Sequence, residues 1–209
     1  MALTPSTMLP IGTVASDFLL PDTVSGDNLS YERVAGELGT VIMFICNHCP
    51  YVKHVRSGLV DVAKDYRDRG IGFAAVSSND AQTHPEDGPD AMAKMAKAAK
   101  LPFPYLYDAT QDMARAYRAA CTPDFFVFDA QRRLVYRGRL DGATPGNTVP
   151  VTGADLRAAL DALLQGKAVP ENCLLHTSAS SQPTPCAVPV CRPILPQQIH
   201  SPLMSVHHL

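Results

Sequence analysis

The chain has 209 residues, 46 % hydrophobic and 18 % charged, with a formal net charge of −2. So apolar a chain buries a core, which excludes wholesale disorder, and its near-neutral charge excludes nucleic acid or an anionic membrane as the main partner. No run approaches the ~18 apolar residues of a membrane span, so no membrane helix is expected. Residues 1–30 lack the basic start and apolar run of a secretory signal, and the first Arg or Lys is Arg33. The expected compartment is the cytoplasm, where thiols stay reduced. The six cysteines therefore need a reason other than structural disulfides.

In chain order, Thr40–Cys46 is a short β-branched apolar run, read as a buried strand. Pro50–Arg69 reads as a helix, because Val52, Val55, Leu59, Val62 and Tyr66 recur at spacings of three and four. Arg67 and Arg69 fall in its last turn and Gly70 stops it. Ile71–Ser77 is a second strand. Pro89–Lys100 is a helix with proline at its first position. Asp108 and Gln111 have the spacing of a capping box for a helix reaching Ala119. Asp124–Asp129 and Arg133–Gly138 are strands, and the short Ala130–Arg132 link makes them a hairpin. Thr152 and Asp155 open a last helix carrying Leu156, Ala159, Leu160 and Leu163, closed by Gly166. This alternation predicts an α/β fold with a mixed sheet.

After about residue 168 the composition changes. Residues 171–209 contain only two charged residues, Glu171 and Arg192, with six prolines and four histidines, and no period of 3.6 or 2. We expect one domain over 8–168 and a poorly ordered Pro/Ser/His-rich tail over 169–209. Cys173, Cys186 and Cys191 fall in that tail.

Cys46, Asn47, His48 and Cys49 join the first strand to the first long helix. Proline is favoured at the first helical residue, so Pro50 makes Cys49 the N-cap. There its sulfur meets unpaired amides and the positive end of the helix dipole. Thiols so placed fall from a pKa of about 8.5 to roughly 3.5–7.5. Lys53, four residues on, adds positive charge on the same face, and His48 does so when protonated. Cys49 is the expected nucleophile and Cys46 a second sulfur. A metal site from Cys46, Cys49, His48 and His54 is the competing reading, but one C-x-x-C is half a zinc site and no second exists, so no metal is expected. His54 reads as a solvated helix histidine. Taken alone, Pro123 is a strand-start proline with a trans bond and Cys121 a core thiol.

These residues, with several longer strings, resemble a known group. Ala15–Asp22 running on to Gly26, Phe44–His54, Pro85-Glu86-Asp87, Phe103–Asp108 and Cys121–Phe126 are similar to a peroxiredoxin-like (alkyl hydroperoxide reductase, redoxin-type) subgroup of the thioredoxin superfamily. The resemblance implies a thioredoxin-like fold, a central mixed sheet flanked by helices. It implies that Pro123 is the superfamily's cis-proline and that Cys121 lies close to Cys49. It also has departures. The C-x-x-C is displaced by one unit from the thioredoxin position, since Val52 stands three residues after Cys49. Relative to the peroxiredoxin Pro-x-x-x-Thr-x-x-Cys motif, Cys46 replaces Thr and Ile42 replaces Pro. Arg137 and Arg139, candidates for a peroxide-activating arginine, read as strand-face charges.

The expected function is thiol–disulfide oxidoreductase chemistry with an antioxidant role. Cys49 attacks a disulfide, and Cys46 or Cys121 resolves the product. The alternative is thiol-dependent peroxide reduction. A further alternative is a non-catalytic thioredoxin-fold module that binds a partner or carries a metal. No cofactor is expected. The expected partners are protein or small-molecule disulfides, hydroperoxides, and a cellular thiol reductant such as thioredoxin or glutathione.

Overall fold

The computed structural model of the chain describes residues 9–169, so the expected tail beyond Val169 lies outside the described residues. Seven strands alternate with five helices: β1 (Leu19–Pro21), β2 (Asn28–Ser30), α1 (Tyr31–Val34), β3 (Gly39–Phe44), α2 (Pro50–Arg67), β4 (Ile71–Ser77), α3 (Pro89–Ala99), β5 (Tyr105–Tyr107), α4 (Asp112–Ala116), β6 (Asp124–Asp129), β7 (Leu134–Gly138) and α5 (Ala154–Leu164). A 3-10 turn, Pro85–Asp87, precedes α3.

The main sheet has the order β5-β4-β3-β6-β7. β3 runs parallel to β4 and antiparallel to β6, so the sheet is mixed, and β6–β7 is the expected hairpin. β1 and β2 form a separate antiparallel pair.

Side chains alternate across a strand, and both faces of this sheet are covered. Val41 and Met43 of β3 join Phe125, Val127 and the apolar stripes of α2, α3 and α5 in one core cluster. Ile42 and Phe44 face the other way, against Phe126, Phe128, Tyr31 and Tyr117. That double burial is why β3 reads as an unbroken apolar run rather than an alternating one.

Element ends differ from expectation for identifiable reasons. β3 stops at Phe44, paired with Asp124; the next residue on the partner strand would be Pro123, which has no N–H to give. Ile45 still donates to Val76 at 3.0 Å, but Cys46 is already in the turn. The helix after Asp108 is short, and the expected capping box is not formed. Gln111 takes a left-handed conformation (φ 61°) without a side-chain cap. The Asp108 carboxylate instead accepts the Ala114 amide at 3.0 Å and the Ser78 hydroxyl at 2.8 Å. At α5 the N-cap is Gly153, and Asp141 accepts the amides of Thr152 (2.8 Å) and Gly153 (2.7 Å). Asp155 pairs with Arg139.

Candidate functional site

The site is the turn between β3 and α2. Pro50 occupies the first helical turn and Cys49 is the N-cap, extended at φ −61° and ψ 121°. Its carbonyl accepts the Lys53 amide at 3.0 Å, the first bond of the helix. These are the cap geometry and helix start that Pro50 predicts.

The two residues between the cysteines are held by one carboxylate. The amides of Asn47 and His48 donate to Asp87 Oδ1 at 2.6 Å and 3.1 Å. Asp87 Oδ2 pairs with His48 Nδ1 and accepts Asn79 Nδ2 at 2.8 Å. Asn47 donates in turn to the Glu86 carbonyl at 2.7 Å, and the Tyr105 hydroxyl donates to Asn47 Oδ1 at 3.4 Å. The His48 ring stacks on His84 with centroids 4.3 Å apart. Asp87 is fully buried, as a carboxylate can be only when its acceptor sites are filled.

Across from the turn lies the Thr122–Pro123 bond, which is cis; the trans reading of Pro123 taken alone is overturned, and the cis-proline implied by the resemblance is present. Thr122 addresses both sulfurs. Cys49 Sγ donates to the Thr122 carbonyl at 3.4 Å, and Cys46 Sγ lies 3.3 Å from Thr122 Oγ1. Cys46, Cys49 and Cys121 are all buried. The hydrogen bond with Cys49, and then burial, push the Cys46 thiol well above its ordinary range, while the Thr122 hydroxyl pulls the other way. Cys46 therefore keeps its proton beside the Cys49 sulfur.

The structure thus brings together Cys46, Cys49, His48 and the Thr122–Pro123 bond, with Cys121 one residue before Thr122. The Lys53 side chain is exposed and makes no ion pair among the described residues. Two expectations need correction. Arg137 is not a solvated strand-face charge: it is fully buried, pairs with Asp124 at 2.7 Å, donates to the Arg118 carbonyl at 2.8 Å and lies over the Phe126 ring. Inward-facing positions on β7 meet the covered sheet face, and a charge there needs a partner. His54 is not freely solvated either, because its Nε2 is buried without a hydrogen-bond partner among the described residues.

Asn79 and His84 were not singled out from sequence, and Asp87 and Thr122 entered only within strings that carry the resemblance, with no role of their own. Asp87 carried a weak signal, as an acidic residue in a proline-started turn. Nothing local shows that it closes on residues forty positions earlier. Cys46, His48 and Asp87 offer metal-type donor atoms within 4.8 Å of one another, a different set from the four residues considered above. His48 and Asp87 of this set are directly hydrogen-bonded to each other. Among the described residues no helix is long and apolar enough to cross a membrane.

The sequence model of the AhpC/TSA family matches residues 11–137. The crystal structure of an uncharacterized conserved protein from Geobacillus kaustophilus is 49 % identical, with TM-score 0.80, covering 86 % of this chain and 99 % of that one. A hypothetical protein from Sinorhizobium meliloti 1021 is 47 % identical, with TM-score 0.77, covering 80 % of this chain and 91 % of its own. Peroxidoxin BcpB from Mycobacterium tuberculosis shares the fold at 18 % identity, with TM-score 0.57, covering 76 % of this chain and 98 % of its own. No curated protein matches. The fold is thioredoxin-like.

Proposed function

The chain belongs to the AhpC/TSA family, and from that premise we propose that it is a thiol–disulfide oxidoreductase with Cys49 as nucleophile and Cys46 as resolving thiol. The observation that carries this reading is that one residue, Thr122, engages both sulfurs. The Cys49 thiolate attacks one sulfur of a substrate disulfide and releases the other as a thiolate. Cys46 then attacks the mixed disulfide, closes Cys46–Cys49 and releases the second thiol. Two electrons pass to the substrate, and a cellular thiol such as thioredoxin or glutathione returns them. Because both sulfurs are buried, the turn must open for substrate to enter.

Peroxide reduction is the second reading, favoured by the family itself. There Cys49 attacks one peroxide oxygen, the O–O bond breaks and the other oxygen leaves as water or an alcohol, and Cys46 condenses with the resulting sulfenic acid to the same disulfide, releasing a further water. Cys46 stands where the peroxiredoxin motif has its threonine, which favours the disulfide substrate. Stopped-flow reaction of the reduced protein with hydrogen peroxide and with a model disulfide tests the choice. The expected result is faster reaction with the disulfide. Faster reaction with peroxide, with sulfenic acid accumulating in Cys46→Ser, would move the assignment to a peroxidase.

A further inference from the structure

The main sheet is incomplete at one edge. β4 spans Ile71–Ser77, but it pairs with the edge strand β5 only from Ala75 to Ser77. The Ala75 amide still reaches the Pro104 carbonyl at 3.0 Å. Pro102 and Pro104 have no N–H, so they cannot carry the ladder back past Phe73. Just before them α3 ends at Lys100, whose left-handed conformation (φ 51°) turns the chain away. On the other side α1 is pressed against β4, where a Cβ on Gly72 would stand 2.2 Å from the Val34 carbonyl oxygen. The two layers that cover the sheet therefore part here. A cleft of about 630 Å³ opens between α1 and the loop from α3 to β5. Clefts of roughly 300–1,000 Å³ hold small ligands.

The lining divides by chemistry. Leu29, Val34, Phe73, Ala96, Leu101 and Phe103 make its wall apolar. The rings of Phe73 and Phe103 stack with centroids 6.4 Å apart. Arg33, Lys97 and Lys100 also line the cleft, and all three are exposed. Among the described residues none of these three has an ion pair or a side-chain hydrogen bond, whereas Arg115 and Arg157 elsewhere on the surface have carboxylate partners. The acid of the lining, Asp22, does not neutralise them. It is buried, and its carboxylate accepts the amides of Ser25 and Tyr105, each at 3.0 Å. Three like charges thus surround an apolar wall, an arrangement that concentrates anions. An anion with an apolar body satisfies both halves of the lining, because the body leaves water and the head meets the cations.

We propose that this cleft binds a small amphipathic anion, an alkyl or aryl group with one anionic head. The body lies against Phe73 and Phe103, and the head lies among Arg33, Lys97 and Lys100. Binding makes and breaks no covalent bond. The lining includes no residue of the Cys46–Pro50 turn, so the inference stands independently of the thiol chemistry.

Amide chemical shifts of isotopically labelled, reduced full-length protein locate the ligand directly. The probes are hexanoate, octanoate and decanoate. Saturable shifts are expected at Leu29, Val34, Phe73, Ala96 and Phe103, and not at Asn47 or Cys49. Affinity should rise with chain length, towards the roughly four-fold per methylene of full burial. Acetate supplies the head without the body and should not saturate the site. Octanol supplies the body without the head and should bind about 10-fold more weakly than octanoate, about two- to three-fold for each exposed charge. The triple variant Arg33→Gln, Lys97→Gln, Lys100→Asn should lose that same factor for octanoate and keep its affinity for octanol. These side chains are exposed, and Asn suits the left-handed conformation of Lys100, so the variant retains the fold. No saturable shift with decanoate below about 1 mM overturns the proposal. Equal binding of octanol and octanoate, or an unchanged octanoate affinity in the triple variant, overturns the role of the cations and the proposal with it. Shifts centred on the thiol turn, or scattered over the surface, place the ligand elsewhere and overturn it as well.

Discussion

The Cys49 thiol donates to the carbonyl of Thr122 at 3.4 Å, across the cis bond to Pro123. Two influences therefore compete at this sulfur. The carbonyl and the burial of the side chain favour the protonated thiol, and the dipole of α2, with no side-chain cap hydrogen bond formed, favours the thiolate. Hydrogen bonds to sulfur are weak, whereas cap placement moves thiols by several pKa units. Alkylation rate against pH should therefore show one fast thiol reacting below neutrality. That phase should vanish in Cys49→Ser and survive in Cys46→Ser. The opposite pattern would reverse the assignment of nucleophile.

Arg137 and Asp124 make a buried ion pair on neighbouring strands, with side chains 0 % and 2 % exposed. Removing one partner leaves an uncompensated charge in the core. Asp124→Ala should destabilise the protein by about 3–5 kcal/mol, measured by urea unfolding. The double variant Asp124→Leu with Arg137→Met should recover much of that loss. A loss under about 1 kcal/mol in the single variant would show that water reaches the pair.

The differing legibility of these features has a physical cause. β3, α2, β4, α3 and the β6–β7 hairpin each carry a periodic apolar pattern or a proline and glycine at their ends, and such signals are local. β1, β2 and β5 have three residues each, too short for a period to show. In the site, Pro50 announces the cap because the preference acts between adjacent residues. Asp87 gives only a weak signal because its role depends on meeting Asn47 in space. Arg137 misleads for the same reason: sequence shows a charge on a strand, and only the covered sheet face and Asp124 make it a core residue. The cis bond at Pro123 was legible through the resemblance and not through the residues alone.

Alkaline pH should unfold this protein earlier than its composition suggests. Burial raises the phenols of Tyr31, Tyr66, Tyr105 and Tyr117, and the Cys46 thiol is raised as well. Each group binds its proton more tightly when folded than when unfolded. Its contribution is therefore complete below the unfolded value and is lost as pH climbs above it, from about 8.5 for the thiol and about 10 for the phenols. Urea midpoints of the reduced protein should be flat with respect to these groups up to about pH 8 and fall steeply past pH 10. Phenolate absorbance should appear with unfolding rather than before it. Phenolate signal from four tyrosines in a still-folded protein would contradict the burial argument.

The last expectation concerns which disulfide forms. An extended strand would carry Cys46 roughly 10 Å from Cys49, at about 3.3 Å per residue, beyond the Cα separation of about 4.4–6.8 Å that a disulfide needs. The chain avoids this by ending β3 at Phe44 and folding Asn47 and His48 onto Asp87. Both sulfurs then contact Thr122. Cys121 sits immediately before Thr122, so it is the competitor. Mild oxidation followed by non-reducing peptide mapping should give Cys46–Cys49 as the main product. Cys46→Ser should shift the product to Cys49–Cys121 or leave Cys49 oxidised without a partner. Thr122→Val removes the hydroxyl beside Cys46 but keeps the carbonyl beside Cys49, so the same disulfide should form more slowly as the Cys46 thiol loses the one contact that lowers its pKa. A chain-to-chain disulfide through Cys49 would exclude both internal partners and require an external resolving thiol.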